Sequence, residues 1–302
     1  MTWRSLLALA VYVLLFPPLF VLAPLAGLLA ASRPATFREW AWIGAAGLWL
    51  AVSLQQPGGL VAQFLNAWAL FLTGGFVVVM LLYRRRLVPG ALATTVFGLG
   101  AATVWVRLLG SRWQDLELAV AHAGWEYARQ VQGDVSAQLA DAFAQGVGPI
   151  AQLFPGLLVL MALPGLALAW AWYHRIATHP AGEPAGRFSD FRFDDHLVWL
   201  VVMCAAGTLL PLPLGVLGIF GNIVLVTGAL YALRGLAVVW GALGALTISP
   251  AMGALLVLVA LFLLAVLPVA LGGFFAIGLA DTWIDFRRRF GSADTRGSGP
   301  WK

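Results

Sequence analysis

The sequence predicts an all-α fold, a polytopic membrane helix bundle, and three observations carry that prediction. Hydrophobic residues fill 61% of the 302 positions and charged residues only 10%, too few to cover a soluble surface of this size. Mean hydropathy is +0.89, and several apolar runs reach the roughly 20 residues that one helical bilayer crossing needs. Runs such as "MGALLVLVALFLLAVLPVALGGFFAIGLA" are continuous rather than alternating. They read as helices that satisfy their own backbone groups, not as strands of a membrane barrel.

Taken in order, the candidate crossings are 5–31, 38–55, 60–83, 88–109, 149–173, 197–213, 216–247 and 252–285. That makes about eight, within a range of about seven to nine, each bounded by turn or charge signals. The first resembles a signal peptide, but its apolar stretch is long and interrupted by Pro17, Pro18 and Pro24 without a small-x-small exit, so a retained anchor is expected. The polar stretch 110–148 carries Trp113, Leu116, Val120, Ala123 and Tyr127 at three- and four-residue spacing. This predicts one amphipathic, extramembrane helix that packs on the bundle or caps one mouth of it. Residues 1–290 are expected to form a single integral membrane domain. The Gly/Ser-rich tail 291–302 reads as disordered.

The formal charge is +5 and the pI near 10.0. In a chain this apolar, basic residues set orientation and meet anionic lipid rather than nucleic acid. Arg33 and Arg38, the run Arg84 to Arg86, and the group Arg175, Arg187 and Arg192 fall on one side of eight crossings. The run Arg287 to Arg289 falls on the other. Two remedies fit: 209–222 hides a re-entrant hairpin, or the run 216–250 breaks near Arg234 and crosses twice. In "GLADTWIDFRRRF" (278–290), Asp285 stands at helical spacing to Arg288 and Arg289. Arginines in a last turn complement the helix dipole, and Trp283 and Phe286 suit the interfacial belt, so this is a helix end at the membrane surface. Asp281 lies one to two turns inside that border, and an ion-coupling role is the sharper alternative for it.

Arg234 is the residue that apolar surroundings explain least. It sits inside "FGNIVLVTGALYALRGLAVVWGALGAL" and shares a helical face with Thr227 and Tyr231, while Asn222 points elsewhere. A mid-membrane arginine costs at least ~2.5 kcal/mol, so it faces a partner, a cavity or a ligand. One reading is a polar stripe lining a site for an anionic or hydrogen-bonding ligand. The other is a helix break that leaves Arg234 as an interfacial charge. Gln63, Asn66 and Thr73 form a second stripe, serving either interhelical hydrogen bonds or ligand contact. The "GG" pairs and "GALGAL" mark close helix packing.

Few residues suggest catalysis. His174, His179, Asp190, Asp194, Asp195 and His196 are the one group with metal-binding chemistry, but the spacing is not HExxH and the intervening stretch is loose. Asp194 or Asp195 is better read as the N-cap of the next helix. Cys204 is the lone cysteine, which excludes an intrachain disulfide. With no GxSxG, no P-loop and no GxGxxG after a strand, no enzyme activity, metal or cofactor is expected.

Several segments carry a resemblance: "LFPGLLVLMALPGLALAWAWYHRI", "FSDFRFDDHLVWL", "GNIVLVTGALYALRGLAVV" and "GLADTWIDFRRR". Together, from about 90 to 290, they resemble the YybS-like family of bacterial membrane proteins, a domain of unassigned function. That family is distantly similar to the substrate-binding subunits of energy-coupling-factor transporters. The resemblance implies a multi-pass protein of the bacterial cytoplasmic (inner) membrane. Two functions follow as expectations. One is a small-molecule binding or transport component whose pocket is formed by Arg234, Tyr231, Thr227, Asn66 and Gln63. Having no ATPase of its own, it would draw on a partner ATPase or an ion gradient. The other is a structural or assembly subunit that works through other membrane subunits.

Overall fold

The computed structural model describes residues 17–54, 59–83, 86–131, 137–245, 267–284 and 286. Among the described residues there are helices and turns and no strand, the all-α architecture that composition requires. Four described helical stretches are long and apolar enough to cross a membrane: Leu60–Leu81, Leu87–Leu108, Gln145–Ile176 and Gly215–Ala242. Shorter apolar helices accompany them at Leu19–Ala31, Leu197–Thr208 and Val269–Ile284. The chain divides into two compact units, residues 1–185 and 186–302.

The first unit contains α1 (Leu19–Ala31), α2 (Phe37–Leu54), α3 (Leu60–Leu81), α4 (Leu87–Leu108), α5 (Trp113–Val131) and α6 (Ala137–Ile176). Its core is built on α3, where Phe64, Trp68, Leu72, Phe76 and Met80 recur every fourth residue and are all buried. That spacing makes one ridge, which packs with Phe20, Leu25 and Leu28 of α1 and with Leu166, Trp170 and Tyr173 of α6. The rings meet edge to face, Phe20 on Trp68 at 5.0 Å and Phe76 on Trp170 at 6.3 Å, the arrangement that the ring quadrupoles favour. α3 and α4 approach closely at Gly98, where a Cβ would lie 3.2 Å from the Leu72 nitrogen. α6 contains Pro149, Pro155 and Pro164, which apolar membrane helices tolerate because neighbouring groups re-satisfy the freed carbonyls.

The described helices over the predicted amphipathic stretch are α5 and the beginning of α6. They are two helices where one was expected, and α5 packs on α6. Leu116 is buried, Trp113 meets Phe64 at 5.9 Å, and Gly124 lies against Val147. Ala123 and Tyr127, on the same stripe, are exposed.

A local clasp ties the start of α2 to the segment after α6. Thr36 and Glu39 form a capping box: the Glu39 amide donates to Thr36 Oγ1 (3.4 Å), and the Thr36 amide donates to Glu39 Oε2 (2.8 Å). Glu39 Oε2 also accepts from the Ala35 amide (2.7 Å), and Oε1 from the Thr178 amide (2.6 Å). Arg38 donates to the Arg175 carbonyl, and the Tyr173 hydroxyl accepts from the Ala181 amide at 2.9 Å. Glu39 is thus a buried carboxylate saturated by three backbone donors. Glu39→Gln keeps the shape but replaces one acceptor oxygen by a donor. It is expected to lower the melting temperature by several degrees in nanodiscs and to increase proteolytic cleavage at 177–183, measured beside the wild type.

The second unit contains a 3-10 turn at Phe188–Asp190, then α7 (Leu197–Thr208), α8 (Leu214–Ala245) and α9 (Leu267–Ile284). α7 ends earlier than the 197–213 crossing expected from hydropathy. Its 12 residues span about 18 Å at 1.5 Å per residue, well below a bilayer's hydrocarbon thickness of about 30 Å. Pro211 and Pro213 explain the stop, since proline disfavours helical backbone before it and supplies no amide donor. α7 then folds back on α8, with Gly207 against the Phe220 ring.

α8 runs unbroken for 32 residues, so the break near Arg234, one of the two remedies for the charge conflict, does not occur. The last crossing, expected over 252–285, is described from Leu267 onward. The predicted contacts of Asp285 with Arg288 and Arg289, and the tail 291–302, lie outside the described residues. Trp283 is exposed, as an interfacial ring requires.

Candidate functional site

Two helices of the second unit, α8 and α9, build the site. They touch backbone to backbone at Gly235 and Gly278. A Cβ on Gly235 would overlap the Phe274 carbonyl and lie 2.8 Å from the Gly278 nitrogen, and a Cβ on Gly278 would overlap the Tyr231 carbonyl. Glycine is required here by space, because only a missing side chain lets the backbones approach this closely. The crossing places Arg234, next to one glycine, beside Asp281, three residues after the other.

Arg234 is completely buried, and so is Asp281. Arg234 Nε donates to Asp281 Oδ2 at 2.9 Å and Nη2 to the Asp281 carbonyl at 3.3 Å. Nη1 donates to Asp195 Oδ1 at 2.6 Å, from the segment just before α7. Asp281 Oδ1 accepts the Phe286 amide at 3.2 Å. Phe193 lies over the guanidinium, 5.5 Å from ring centroid to Cζ, and packs edge to face on Tyr231 at 5.0 Å. Phe275 of α9 closes on the other side of Tyr231 at 6.2 Å. The three charged groups carry a formal charge of −1 when all are ionised. Arginine suits this position because its planar fork reaches two carboxylates at once.

The interfacial-charge reading of Arg234 is therefore overturned: the side chain sits inside an unbroken helix, paired with two acids. Thr227, Tyr231 and Arg234 do share one buried face. Thr227 satisfies itself, donating to the Ile223 carbonyl at 2.6 Å in the back-bonding typical of helical threonine. Tyr231 is fully buried, and its hydroxyl faces that of Thr282; neither makes a well-formed hydrogen bond to any other described residue. Asn222 donates to the Gly218 carbonyl at 2.7 Å. The second stripe belongs to the first unit: Gln63 is exposed, and Asn66 and Thr73 are half-buried on α3.

Neither Asp194 nor Asp195 caps α7, contrary to expectation: the N-cap residue is His196, with no side-chain cap, and the Asp195 carboxylate is bonded to Arg234. Asp194 comes nearer to that role, accepting the His196 amide at 3.0 Å and the His196 ring Nδ1 at 2.7 Å. Those two hydrogen bonds hold the Asp194 carboxyl below its usual range, and the Asp194 carboxylate raises the His196 pKa. His174 lies in the first unit against Trp170, 4.4 Å between rings. Among the described residues no group of three metal-binding side chains converges.

The acids that hold Arg234 do not follow from the helical faces of the sequence, although a signal for one of them exists. An arginine inside an apolar helix implies an acid at similar depth. Asp281, one to two turns inside its own apolar run, meets this condition.

No curated protein and no solved structure matches the chain significantly. The sequence model of one family, described as predicted membrane protein (DUF2232), matches residues 5–282. Nearly the whole of the chain, including the Gly235–Gly278 crossing and all three members of the ion-pair cluster, thus lies within a single family match, and the protein belongs to the DUF2232 family of predicted membrane proteins.

Proposed function

We propose that this protein is a small-molecule binding component of a transport system in the bacterial cytoplasmic membrane, with recognition centred on Arg234. The observation that carries this reading is the mismatch within the cluster. A fully buried guanidinium draws one of its two partners, Asp195, from a position where that side chain is 56% exposed. A purely structural pair would be expected to bury both acids, as Asp281 is buried. The resemblance to YybS-like proteins, and through them to substrate-binding subunits of energy-coupling-factor transporters, supports the same reading at the level of fold analogy. In this proposal the protein has no enzymatic activity and takes energy for uptake from a partner ATPase or an ion gradient. A structural or assembly role is the second reading, favoured by the glycine contact of α8 with α9 and by the self-satisfied Thr227.

The deciding experiment is thermal unfolding in nanodiscs of the wild type and Arg234→Gln, each against a panel of vitamins, nucleobases and small carboxylates. A ligand at a hundred times its Kd stabilises by about 2.7 kcal/mol, enough to read as a melting shift. Transport predicts a compound that shifts the wild type and leaves Arg234→Gln at its own baseline. No shift with any compound favours the structural reading.

A further inference from the structure

We propose that Asp195 is a tethered stand-in for an anionic ligand, and that the segment 191–195 is a lid whose displacement opens Arg234 to a carboxylate or phosphate group. This rests on the reading of Arg234 as a recognition residue and specifies the ligand's chemistry and the route to it.

Four observations converge. The two acids divide their work: buried Asp281 holds Arg234 through Nε and Nη2, while exposed Asp195 touches only Nη1, through a single oxygen. An ion pair with one partner in water contributes little net stability, so the Asp195 contact is the exchangeable one. Arginine has five N–H donors, and the described residues accept three of them. With Asp195 withdrawn, both hydrogens of Nη1 and one of Nη2 are open to a bidentate acceptor, which a ligand carboxylate or phosphate supplies and a one-oxygen contact does not. Phe193 covers the guanidinium face and belongs to the same irregular segment as Asp195, so one displacement removes both covers. Finally, buried Tyr231 lies one turn from Arg234 on the same helical face, and its neutral hydroxyl, which faces that of Thr282, adds a second polar group to the site.

The exchange balances in charge. Asp195 turns into water, where its carboxylate is solvated, and one ligand anion takes its place on Nη1. The Arg234–Asp281 pair stays intact throughout. The anion has two possible sources, a soluble molecule or a lipid headgroup, which share this chemistry.

The test is modification by phenylglyoxal, an arginine reagent, of the full-length protein in nanodiscs, with Arg234 and exposed Arg187 quantified in the same digest by mass spectrometry. Wild-type Arg234 is expected to react far more slowly than Arg187. In Asp195→Ala the Arg234 rate rises several-fold while Arg187 is unchanged, and Asp195→Asn, which keeps the shape, gives a smaller rise in the same direction. Inorganic phosphate or benzoate, added to the variants, suppresses the gain if the anion is soluble. Phosphatidylglycerol in the disc suppresses it if the anion is a headgroup. Equal labelling in wild type and both variants overturns the lid. A rise that neither soluble anion nor anionic lipid suppresses overturns the anion site. Because these probes are generic, a negative result here is distinct from a ligand panel that lacks the right compound.

Discussion

Arg234→Gln and Asp281→Asn are each expected to destabilise the protein by about 3–5 kcal/mol, because the first leaves the buried Asp281 carboxylate without a cation and the second leaves the buried guanidinium with only the half-exposed Asp195. Both side chains are completely buried and 2.9 Å apart, so water does not reach the survivor. Arg234→Lys does not restore stability, since an ammonium lacks the Nε and terminal nitrogens that reach Asp281 and Asp195 together. The informative variant is the double replacement Arg234→Met with Asp281→Leu. Removing both charges together recovers most of the loss, because apolar groups of similar volume need no compensation in an apolar surrounding. The measurement is chemical or thermal unfolding of the wild type, the two single replacements and the double in one bilayer system, analysed as a double-mutant cycle. A double variant as unstable as the sum of the singles would mean that the two residues do not stabilise each other.

The second large effect is steric. Gly235→Ala and Gly278→Ala each place a methyl group on the backbone of the opposite helix, so the helices must separate. Overpacking in a rigid interior costs typically about 1–3 kcal/mol, and a clash with backbone, which has no rotamer to change, belongs at or above the top of that range. Leucine at either position is expected to abolish the folded state of the second unit. Gly228→Ala is the control: the same helix, with open space around the added carbon. Alanine is the better helix former by about 1 kcal/mol, so that variant is neutral or stabilised. Yield of monodisperse protein after detergent extraction, followed by melting temperature, separates the three outcomes. Equal behaviour of Gly228→Ala and Gly235→Ala would refute the crossing.

These two effects explain each other. The glycine contact brings α8 and α9 close enough for the guanidinium to reach Asp281, and the ion pair then holds the helices in one register. Sliding α9 by one turn, about 5.4 Å, would separate Arg234 from Asp281 and carry Gly278 away from Gly235. The pair therefore specifies alignment between two otherwise featureless apolar helices, whatever its net contribution to stability.

Glycine also illustrates how unevenly the sequence can be read. The paired glycines 74–75 and 272–273 are the visible signs of close packing, yet only Gly75 of these has a near neighbour, with Thr94 at 3.1 Å from a built Cβ. The approaches to a neighbouring backbone occur at the isolated glycines 98, 235 and 278, and Gly27 and Gly207, also isolated, lie against the side chains of Val77 and Phe220. Whether a glycine is in contact depends on where another helix crosses, and spacing along one chain carries no information on that. Glu39 is the opposite case: Thr36-x-x-Glu39 is a capping-box pattern legible in four letters, inconspicuous beside the apolar run that follows.

By itself the sequence determined what depends on solvent and local geometry. Apolar excess made the chain a helical membrane protein, because a lipid interior leaves backbone groups no partner outside the helix. Period put Thr227, Tyr231 and Arg234 on one face, because side-chain direction repeats with the helix. The prolines at 211 and 213 ended α7, an effect of covalent structure that hydropathy averages away. Only the tertiary structure decided which acid Arg234 meets, for Asp195 lies 39 residues before it and Asp281 lies 47 after. Those pairings are set by how helices cross, and helix crossing follows from the shapes of two surfaces together, which no single stretch of sequence contains.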